Sequence, residues 1–383
     1  MKTLIVFILI IIIVSIYSVF VINKYNKLVS KENLYTAPVE TTIPDNKQIP
    51  VNEDTNTTQP VTNDSNQMKV LNLIYIPSSN NQIDFNETGT LPVKTASELI
   101  ERINSITQQS LIKLTQGSIY HGYKNSTAIS SLDYSLVDSK VYYESLPAGL
   151  PVPWKESTKR PDYIKILERE NICDLVDNFN LKEVWIWGYH TEKIEPVESN
   201  MSMGLNIKNH WNHEDYGDVS NSENSDDLPI CKNTYVLFNL NYGRGTGEVL
   251  ENHTHHIEAV NNYIHSDLWG KFVGLSGDQE SYSCGWTHYP PNVMKYTSGH
   301  DYDWYNQESE NSDCSDWKPD GTGKIERVNC HTWSNNNCAD DGGVSFKVWW
   351  MQNIPGLNND LEFDGKKIGN WWELISDFDN SVN

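Results

Sequence analysis

One stretch, residues 235–264, constrains the fold more than any other part of the chain. It reads YVLFNLNYGRGTGEVLENHTHHIEAVNNYI: an apolar run of strand length, alternating glycines, and a segment with apolar residues at helical spacing. A buried strand joined by a tight turn to a helix is the repeating unit of proteins with a largely parallel sheet. The stretch therefore predicts a strand, a glycine turn and a helix at the centre of an α/β fold.

Similar patterns recur along most of the chain. Apolar runs of strand length alternate with segments whose apolar residues repeat at helical spacing, which indicates an α/β architecture. Strands are predicted at residues 70–77, 134–143, 183–189, 235–242 and 344–356, and helices after Ser97, over 161–179, after the glycine turn and over 370–378. We expect one domain, residues 69–383. It should have a mixed or mostly parallel sheet flanked by helices and a loop-rich C-terminal part that disulfides staple.

The N-terminal segment has the composition of a membrane anchor. After a flank of residues 1–3, residues 4–22 form an apolar run long enough to cross a bilayer as a helix. We predict a transmembrane signal anchor. A cleaved signal peptide, whose apolar region is usually about 7–15 residues, is the alternative. Residues 23–68 are rich in Thr, Asn, Pro and acidic residues, which predicts a disordered stalk.

Cysteines and glycosylation sequons favour a lumenal or extracellular domain. The six cysteines include no CxxC pair, which indicates disulfides, although six cysteines allow fifteen pairings. Lysines that come directly after the apolar run oppose this orientation under the positive-inside rule, since they favour a cytosolic location for the rest of the chain. Sequons, which predict a glycoprotein, occur at Asn56, Asn63, Asn86, Asn125, Asn200 and Asn252.

The formal net charge of −22 limits the possible partners. Binding of nucleic acid needs a basic surface that neutralises phosphates, and the sequence shows no such patch. A cation, a basic protein or a neutral glycan suits an acidic domain better. We therefore expect no nucleic-acid partner, and a glycan or protein at the cell surface besides the membrane itself.

Residues that follow the predicted strands are candidates for catalysis, because ligands bind beyond the carboxyl ends of the strands in α/β sheets. His190 and Glu198 follow the strand 183–189, and Glu248 follows the glycine turn. An imidazole or a carboxylate at these positions suits general acid–base chemistry. A hydrophilic loop without catalytic function is the alternative.

A metal site is also suggested by the helix after the turn. Glu251 and His255 lie four residues apart on one face of that helix, and His288 lies in the stiff segment GWTHYPPN. Carboxylate and imidazole groups bind zinc, so these residues are candidate metal ligands. The acidic segment 313–320 suits calcium, so the expected cofactor is Zn or Ca. A solvated polar helix face and acidic turns without metal are the alternatives.

The glycine turn itself is a candidate anion site. Arg244, Gly245 and Gly247 precede or begin the helix, where free backbone N–H groups and a guanidinium bind anions. The spacing is GxGxG, which differs from the GxGxxG of dinucleotide sites. A tight turn that packs the strand against the helix is the alternative.

Several segments together resemble those of uncharacterised secreted proteins: WIWGYH, PVESNMS, NYGRGTGEVLENHTHHIE, CGWTHYPPN, YDW, DCSDW, VNCHTW and VWWMQNIPG. The resemblance covers about residues 160–372 and implies no activity. The residues themselves support two hypotheses for function. The first is a hydrolase, metal-assisted and glycan-directed, with Glu198, Glu251, His255 and His288 converging. The second is a non-enzymatic binding module whose exposed Trp and Tyr side chains contact a glycan or a protein.

Overall fold

A computed structural model describes residues 66–152, 155–202, 204–205, 228–274, 283–293 and 302–382. The predicted anchor, residues 4–22, and all but the last residues of the predicted stalk lie outside these ranges. The first strand begins at Gln67, two residues before the predicted start of the domain. No helix in the described ranges is both long enough and apolar enough to cross a membrane.

The described strands include five that form one central sheet and four pairs that form small separate ladders. Numbered in chain order, they are β1 (Gln67–Tyr75), β2 (Ser78–Ser79), β3 (Gln82–Ile83), β4 (Asp133–Tyr142), β5 (Ala148–Val152), β6 (Lys155–Pro161), β7 (Leu181–Gly188), β8 (Ser199–Ser202), β9 (Tyr235–Asn241), β10 (Glu310–Ser312), β11 (Glu326–Val328), β12 (Glu362–Phe363) and β13 (Lys366–Lys367).

The central sheet has the order β4–β1–β7–β9–β8. Its first four strands are parallel, and β8 runs antiparallel to β9 at the edge. Strands β1, β7 and β9 are buried along almost their whole length. Their sequences are nearly continuous apolar runs because a parallel strand that is covered on both faces has no solvent-facing positions for polar residues. The predicted mostly parallel α/β architecture is confirmed.

The described helices, also numbered in chain order, vary from one turn to six. They are α1 (Phe85–Thr88), α2 (Ala96–Gly117), α3 (Tyr163–Arg169), α4 (Ile172–Phe179), α5 (Thr246–Ile264), α6 (Ser266–Val273), α7 (Cys330–Trp333), α8 (Val344–Met351), α9 (Glu373–Ser376) and α10 (Phe378–Ser381).

Three of these helices, α2, α5 and α8, pack against one another. Helix α2 is capped by Thr95, not by Ser97 as the sequence suggested, because Thr95 and Glu98 form a reciprocal capping box. The amide of Asn72 in β1 donates to Thr107 of α2 across 3.0 Å in the interior. Helix α2 is thereby joined to the middle of the sheet.

Helix α5 is fixed to the sheet by a buried polar network. His253 Nε2 lies 3.0 Å from Oε2 of Glu183 in β7, and the His253 ring stacks on Phe238 of β9 at 3.8 Å. Tyr134 and Trp185 also donate to the Glu183 carboxylate. A buried charge is tolerated when it is hydrogen-bonded in this way. The network fixes the rotation of α5, and with it the direction of the side chains on the opposite face.

The region 344–356 differs from the prediction. A late strand was expected there, but residues Val344–Met351 form helix α8, which follows Gly343 in a left-handed conformation (φ 76°). The helix is buried from Phe346 to Met351. A helix that is covered almost all round has no polar face, and a short apolar run of this kind cannot be distinguished from a strand by periodicity.

Two further helical predictions need adjustment. The segment 161–179 forms two helices, α3 and α4, because the chain turns at Asn171 with φ 52°. The predicted C-terminal helix is likewise two short helices, α9 and α10, separated at Asp377.

Three disulfides close the loop-rich parts of the domain. Cys173 pairs with Cys231, Cys284 with Cys314, and Cys330 with Cys338. Disulfides persist in oxidising compartments, so the pairs indicate an extracellular or lumenal domain. The pair Cys284–Cys314 anchors the segment that carries His288.

Candidate functional site

Helix α5 begins directly after the turn that follows β9. Arg244 N donates to the carbonyl of Asn241, and Gly245 is the N-cap of the helix and provides no side-chain hydrogen bond. Glu251, His255 and Glu258 follow at i, i+4 and i+7, which places them on one face of the helix. That face points away from the sheet and toward α8 and the segment 283–293.

Close packing explains why residue 247 is a glycine. A Cβ atom at Gly247 would lie 2.5 Å from the carbonyl oxygen of Gly342, whereas a Cβ at Gly245 would meet nothing within 4 Å. Gly247 therefore lets the loop before α8 approach the first turn of α5. This favours the tight-turn alternative at Gly247, and anion binding at Arg244 and Gly245 stays a prediction.

Glu251, His255 and His288 come together in space, as the sequence suggested. One ligand atom from each lies within 4.8 Å of the others. His255 Nε2 lies 3.0 Å from His288 Nε2, and His288 Nε2 lies 3.1 Å from Oε1 of Glu251. We call these three residues the Glu-His-His cluster.

Two of the three atom pairs in the cluster have a separation close to that in a metal shell. In a tetrahedral zinc site with bonds of about 2.0–2.1 Å, neighbouring donor atoms are about 3.3 Å apart. The distances of 3.0 and 3.1 Å in the cluster are close to this value. Three protein ligands with a fourth position for water or substrate are typical of catalytic zinc sites. The donor set fits zinc better than calcium, since calcium takes oxygen ligands.

A second carboxylate orients His255. Glu258 Oε2 lies 3.0 Å from Nδ1 of His255, and Glu258 Oε1 accepts from the backbone N–H of Thr287 across 2.7 Å. With its Nδ1 proton directed to Glu258, the neutral imidazole presents a lone pair on Nε2 to the cluster. Metal-binding histidines almost always donate their other ring N–H to a partner, which is a carboxylate, a backbone carbonyl or water.

Lys347 of α8 supports the cluster from the other side. It is fully buried, and its Nζ donates to Oε2 of Glu251 across 3.0 Å. Burial alone would raise the pKa of Glu251, but the charge of Lys347 and the hydrogen bond from His288 outweigh it and lower the pKa well below its usual range. Glu251 is therefore ionised, as a metal ligand must be.

The pKa of His255 is raised. Burial would lower it, but the hydrogen bond to Glu258 and the charges of Glu258, Glu198 and Glu251 outweigh burial. The surrounding carboxylates therefore favour the protonated imidazole.

Glu248 lies one turn before Glu251 and differs from it electrostatically. Its side chain is 13 % exposed, Arg244 Nη1 lies 3.6 Å from Oε1, and Oε2 is buried without a hydrogen-bond partner among the described residues. Burial, opposed by Arg244 and reinforced by Glu251 and Glu198, raises the pKa of Glu248 to about 8. It is a carboxylic acid at neutral pH, as a general acid requires.

The remaining predicted catalytic residues lie at the surface. Glu198 is exposed at the start of β8, and its charge acts on both Glu248 and His255. His190 is exposed beyond the end of β7 and is not part of the Glu-His-His cluster. Of the candidates, the structure therefore connects Glu198 and Glu248 with the cluster.

Two predicted glycosylation positions conflict with the fold. Asn252 is buried, and its amide donates to the carbonyls of Asn239 and Glu198. Asn200 is buried in β8. A glycan fits at neither position without unpacking the sheet edge. Asn86 and Asn125 are exposed, and Asn56 and Asn63 lie outside the described residues.

The acidic segment 313–320 does not form a metal cluster. Asp316 accepts from the backbone N–H of Lys324, and Asp320 accepts from Thr322, as acidic turns without metal do. Among the residues that the structure describes, one other group has metal-binding spacing, Cys330, His331 and Cys338, but its cysteines form a disulfide.

Lys347 was missed by the sequence analysis because its segment was interpreted as a strand. A lysine in the middle of the apolar run VSFKVWWM was the available signal. A lysine is almost never fully buried without a partner, so its position predicts a buried acid. The role of Glu258 was recoverable from its position three residues after His255.

The tryptophans are mostly structural. Those that the structure describes are buried, apart from the half-buried Trp286. The binding-module hypothesis needs exposed Trp or Tyr side chains; the described ranges provide exposed Tyr123 and Tyr143 but no exposed tryptophan, and the hypothesis stays a prediction.

Comparisons of the chain with models of protein families, with curated proteins and with solved structures find no match.

Proposed function

We propose that the protein is a metal-assisted hydrolase whose metal is held by Glu251, His255 and His288. The observation that supports this most is the convergence of three ligand atoms within 4.8 Å, with a carboxylate behind His255 and an ammonium behind Glu251. The alternative of a solvated polar helix face does not account for the burial of Glu251 and Glu258.

The surroundings of the cluster suit hydrolysis. A zinc ion held there supplies Lewis-acid chemistry, which activates water and polarises a carbonyl group. Glu248, protonated at neutral pH, is the candidate to donate a proton to the leaving group, and exposed Glu198 is the candidate base. Arg244, beside Glu248, is the candidate to orient an anionic or polar group of the substrate.

We propose that the substrate is an acylated glycan, and that the bond cut is the ester or amide that joins the acyl group to the sugar. Half-buried aromatic residues lie beside the cluster: the Tyr302 ring is 4.1 Å from the His288 ring, and Trp286 precedes His288 by two residues. Flat aromatic faces of this kind pack against sugar rings. The proposed setting is a single-pass membrane protein with the domain on the lumenal or extracellular side.

The hydrolase proposal is tested with the purified full-length protein, freed of metal and then reloaded with zinc. The chromogenic ester p-nitrophenyl acetate is one probe, and an acetylated chito-oligosaccharide is the second. Zinc should increase the rate at which the wild type releases acetate from both substrates, and should not increase the rate of His288→Ala. Equal rates in both proteins, with zinc bound to the wild type, would remove the proposal. Acetate release from p-nitrophenyl acetate but not from the oligosaccharide would contradict only the proposal of a glycan substrate.

A further inference from the structure

The ammonium of Lys347 occupies a socket that uses all of its hydrogen-bond donors. Nζ donates to Oε2 of Glu251 at 3.0 Å, to the carbonyl of Gly342 at 3.1 Å and to the carbonyl of Gly247 at 3.2 Å. The ring centroid of Trp304 is 3.9 Å from Nζ. An ammonium has three donors, so the socket is complete. Three acceptors around Nζ suit the ammonium form of the side chain.

The two oxygens of the Glu251 carboxylate have different partners. Oε2 is held by Lys347, and Oε1 faces Nε2 of His288 at 3.1 Å. Each carboxylate oxygen has two acceptor sites, so the bond to Lys347 still leaves Oε2 able to bind a metal ion. Bidentate binding would nevertheless bring the ion close to the Lys347 ammonium, and the two positive charges would repel each other. Lys347 therefore favours binding through Oε1 alone.

The number of available oxygen atoms distinguishes between metals. Calcium takes six to eight oxygen ligands, commonly with bidentate carboxylates, whereas zinc is satisfied by four ligands that include imidazole nitrogen. The cluster offers two nitrogens and, because of Lys347, one oxygen.

We propose that Lys347 is a positioning residue that fixes Glu251 as a one-oxygen ligand and makes the cluster selective for four-coordinate, zinc-like metals over calcium. The proposal rests on the metal centre of the proposed function, but it concerns coordination and does not depend on hydrolysis.

The test replaces zinc by Co²⁺ in the full-length protein and records the visible absorption, which is intense for four-coordinate and weak for six-coordinate cobalt. Zinc and calcium affinities are measured by competition with a chelating dye. The variant Lys347→Met removes the ammonium and keeps the length of the side chain. The matched control is Lys113→Met, whose lysine contacts Gln116 of the same helix.

The wild type and Lys113→Met should give the intense cobalt spectrum and no calcium binding. Lys347→Met should give a weaker spectrum and a zinc affinity lower by about 10–100-fold, the usual effect of losing a supporting contact. An unchanged spectrum and unchanged zinc affinity in Lys347→Met would overturn the proposal.

The wild type provides a test even if Lys347→Met does not fold. A weak, six-coordinate cobalt spectrum in the wild type, or a preference for calcium, also overturns the proposal. An intense cobalt spectrum with no acetate release would support the positioning role of Lys347 and contradict the hydrolase proposal. The two failures are therefore distinguishable.

Discussion

Glu248 and Glu251 are one helical turn apart, yet their carboxyl groups are shifted in opposite directions. Lys347 touches Glu251 at 3.0 Å and, with His288, lowers the pKa of Glu251 below its usual range against the effect of burial. At Glu248 burial outweighs the charge of Arg244, whose Nη1 lies 3.6 Å away, and the pKa rises to about 8. Pairs of acids whose environments separate their pKa values are typical of catalytic sites.

The raised pKa of Glu248 predicts a pH-dependent cost to stability. In the unfolded chain this group loses its proton near its ordinary value of 4.5, and in the folded protein near 8. Between these values the folded state binds more protons, so stability falls as pH rises from about 4.5 to about 8. In metal-free protein, Glu248→Gln should be more stable than the wild type by about 2–4 kcal/mol at pH 8.5 and nearly equal at pH 5.

Urea denaturation at both pH values measures this difference, and other titrating groups cancel because both proteins contain them. Glu101→Gln, which changes an exposed glutamate of α2, is the control and should show no such difference. If the gap between Glu248→Gln and the wild type is the same at pH 5 and pH 8.5, Glu248 does not have the raised pKa.

Glu258 should affect zinc binding although it is not a ligand. Glu258 accepts from both His255 Nδ1 and the backbone N–H of Thr287, whereas glutamine has one acceptor oxygen. Glu258→Gln therefore weakens the hold on His255 and disturbs the tautomer that presents Nε2 to the cluster. We expect the zinc dissociation constant to increase by about 10–100-fold. Competition with a chelating dye measures it, with Glu101→Gln as the control. A dissociation constant within twofold of the wild type would speak against the carboxylate–histidine pair.

At the scale of elements, the site depends on the contact between the start of α5 and the loop before α8. Gly247→Ala should place a Cβ 2.5 Å from the carbonyl oxygen of Gly342 and lower the free energy of unfolding by about 1–3 kcal/mol. Gly245→Ala, two residues away, has open space and should change it by less than about 1 kcal/mol. Urea denaturation of both variants tests the contact, and equal effects would count against it.

The helix α5 and the sheet were predictable, but the partner helix was not. The i, i+4 spacing of Glu251 and His255 placed both on one face of a helix without knowledge of the fold. His288 was a candidate from its segment alone, and its meeting with α5 depends on how a disulfide-bonded loop folds back, which spacing does not encode. Helix α8 was missed because burial on nearly all sides removes the polar face that distinguishes a helix from a strand.

For the whole molecule, the pattern of strands predicted the mostly parallel sheet because buried parallel strands carry continuous apolar runs. The pairing of the cysteines was not predictable, since it depends on contacts between distant parts of the chain. The three observed pairs agree with an oxidising compartment.

The compartment and the fold together predict which sequons carry glycans. In protein secreted from eukaryotic cells, the exposed Asn86 and Asn125 should be glycosylated, and the buried Asn200 and Asn252 should not be. Mass spectrometry of glycopeptides measures occupancy at each position. A glycan on Asn252 would contradict the packing of α5 against β9, and bare asparagines at both exposed positions would argue against the lumenal location.

The central claim, a metal centre made by α5 and the His288 segment, is tested most directly by zinc binding. Equilibrium dialysis of the metal-free, full-length protein should show one tightly bound zinc ion per chain. His288→Ala should weaken this binding by about 100-fold or more, because it removes a ligand and not a supporting contact. His331→Ala, which changes an exposed histidine beside a disulfide, should leave it unchanged. Wild-type protein that binds no zinc, or His288→Ala that binds it as tightly as the wild type, would contradict the account.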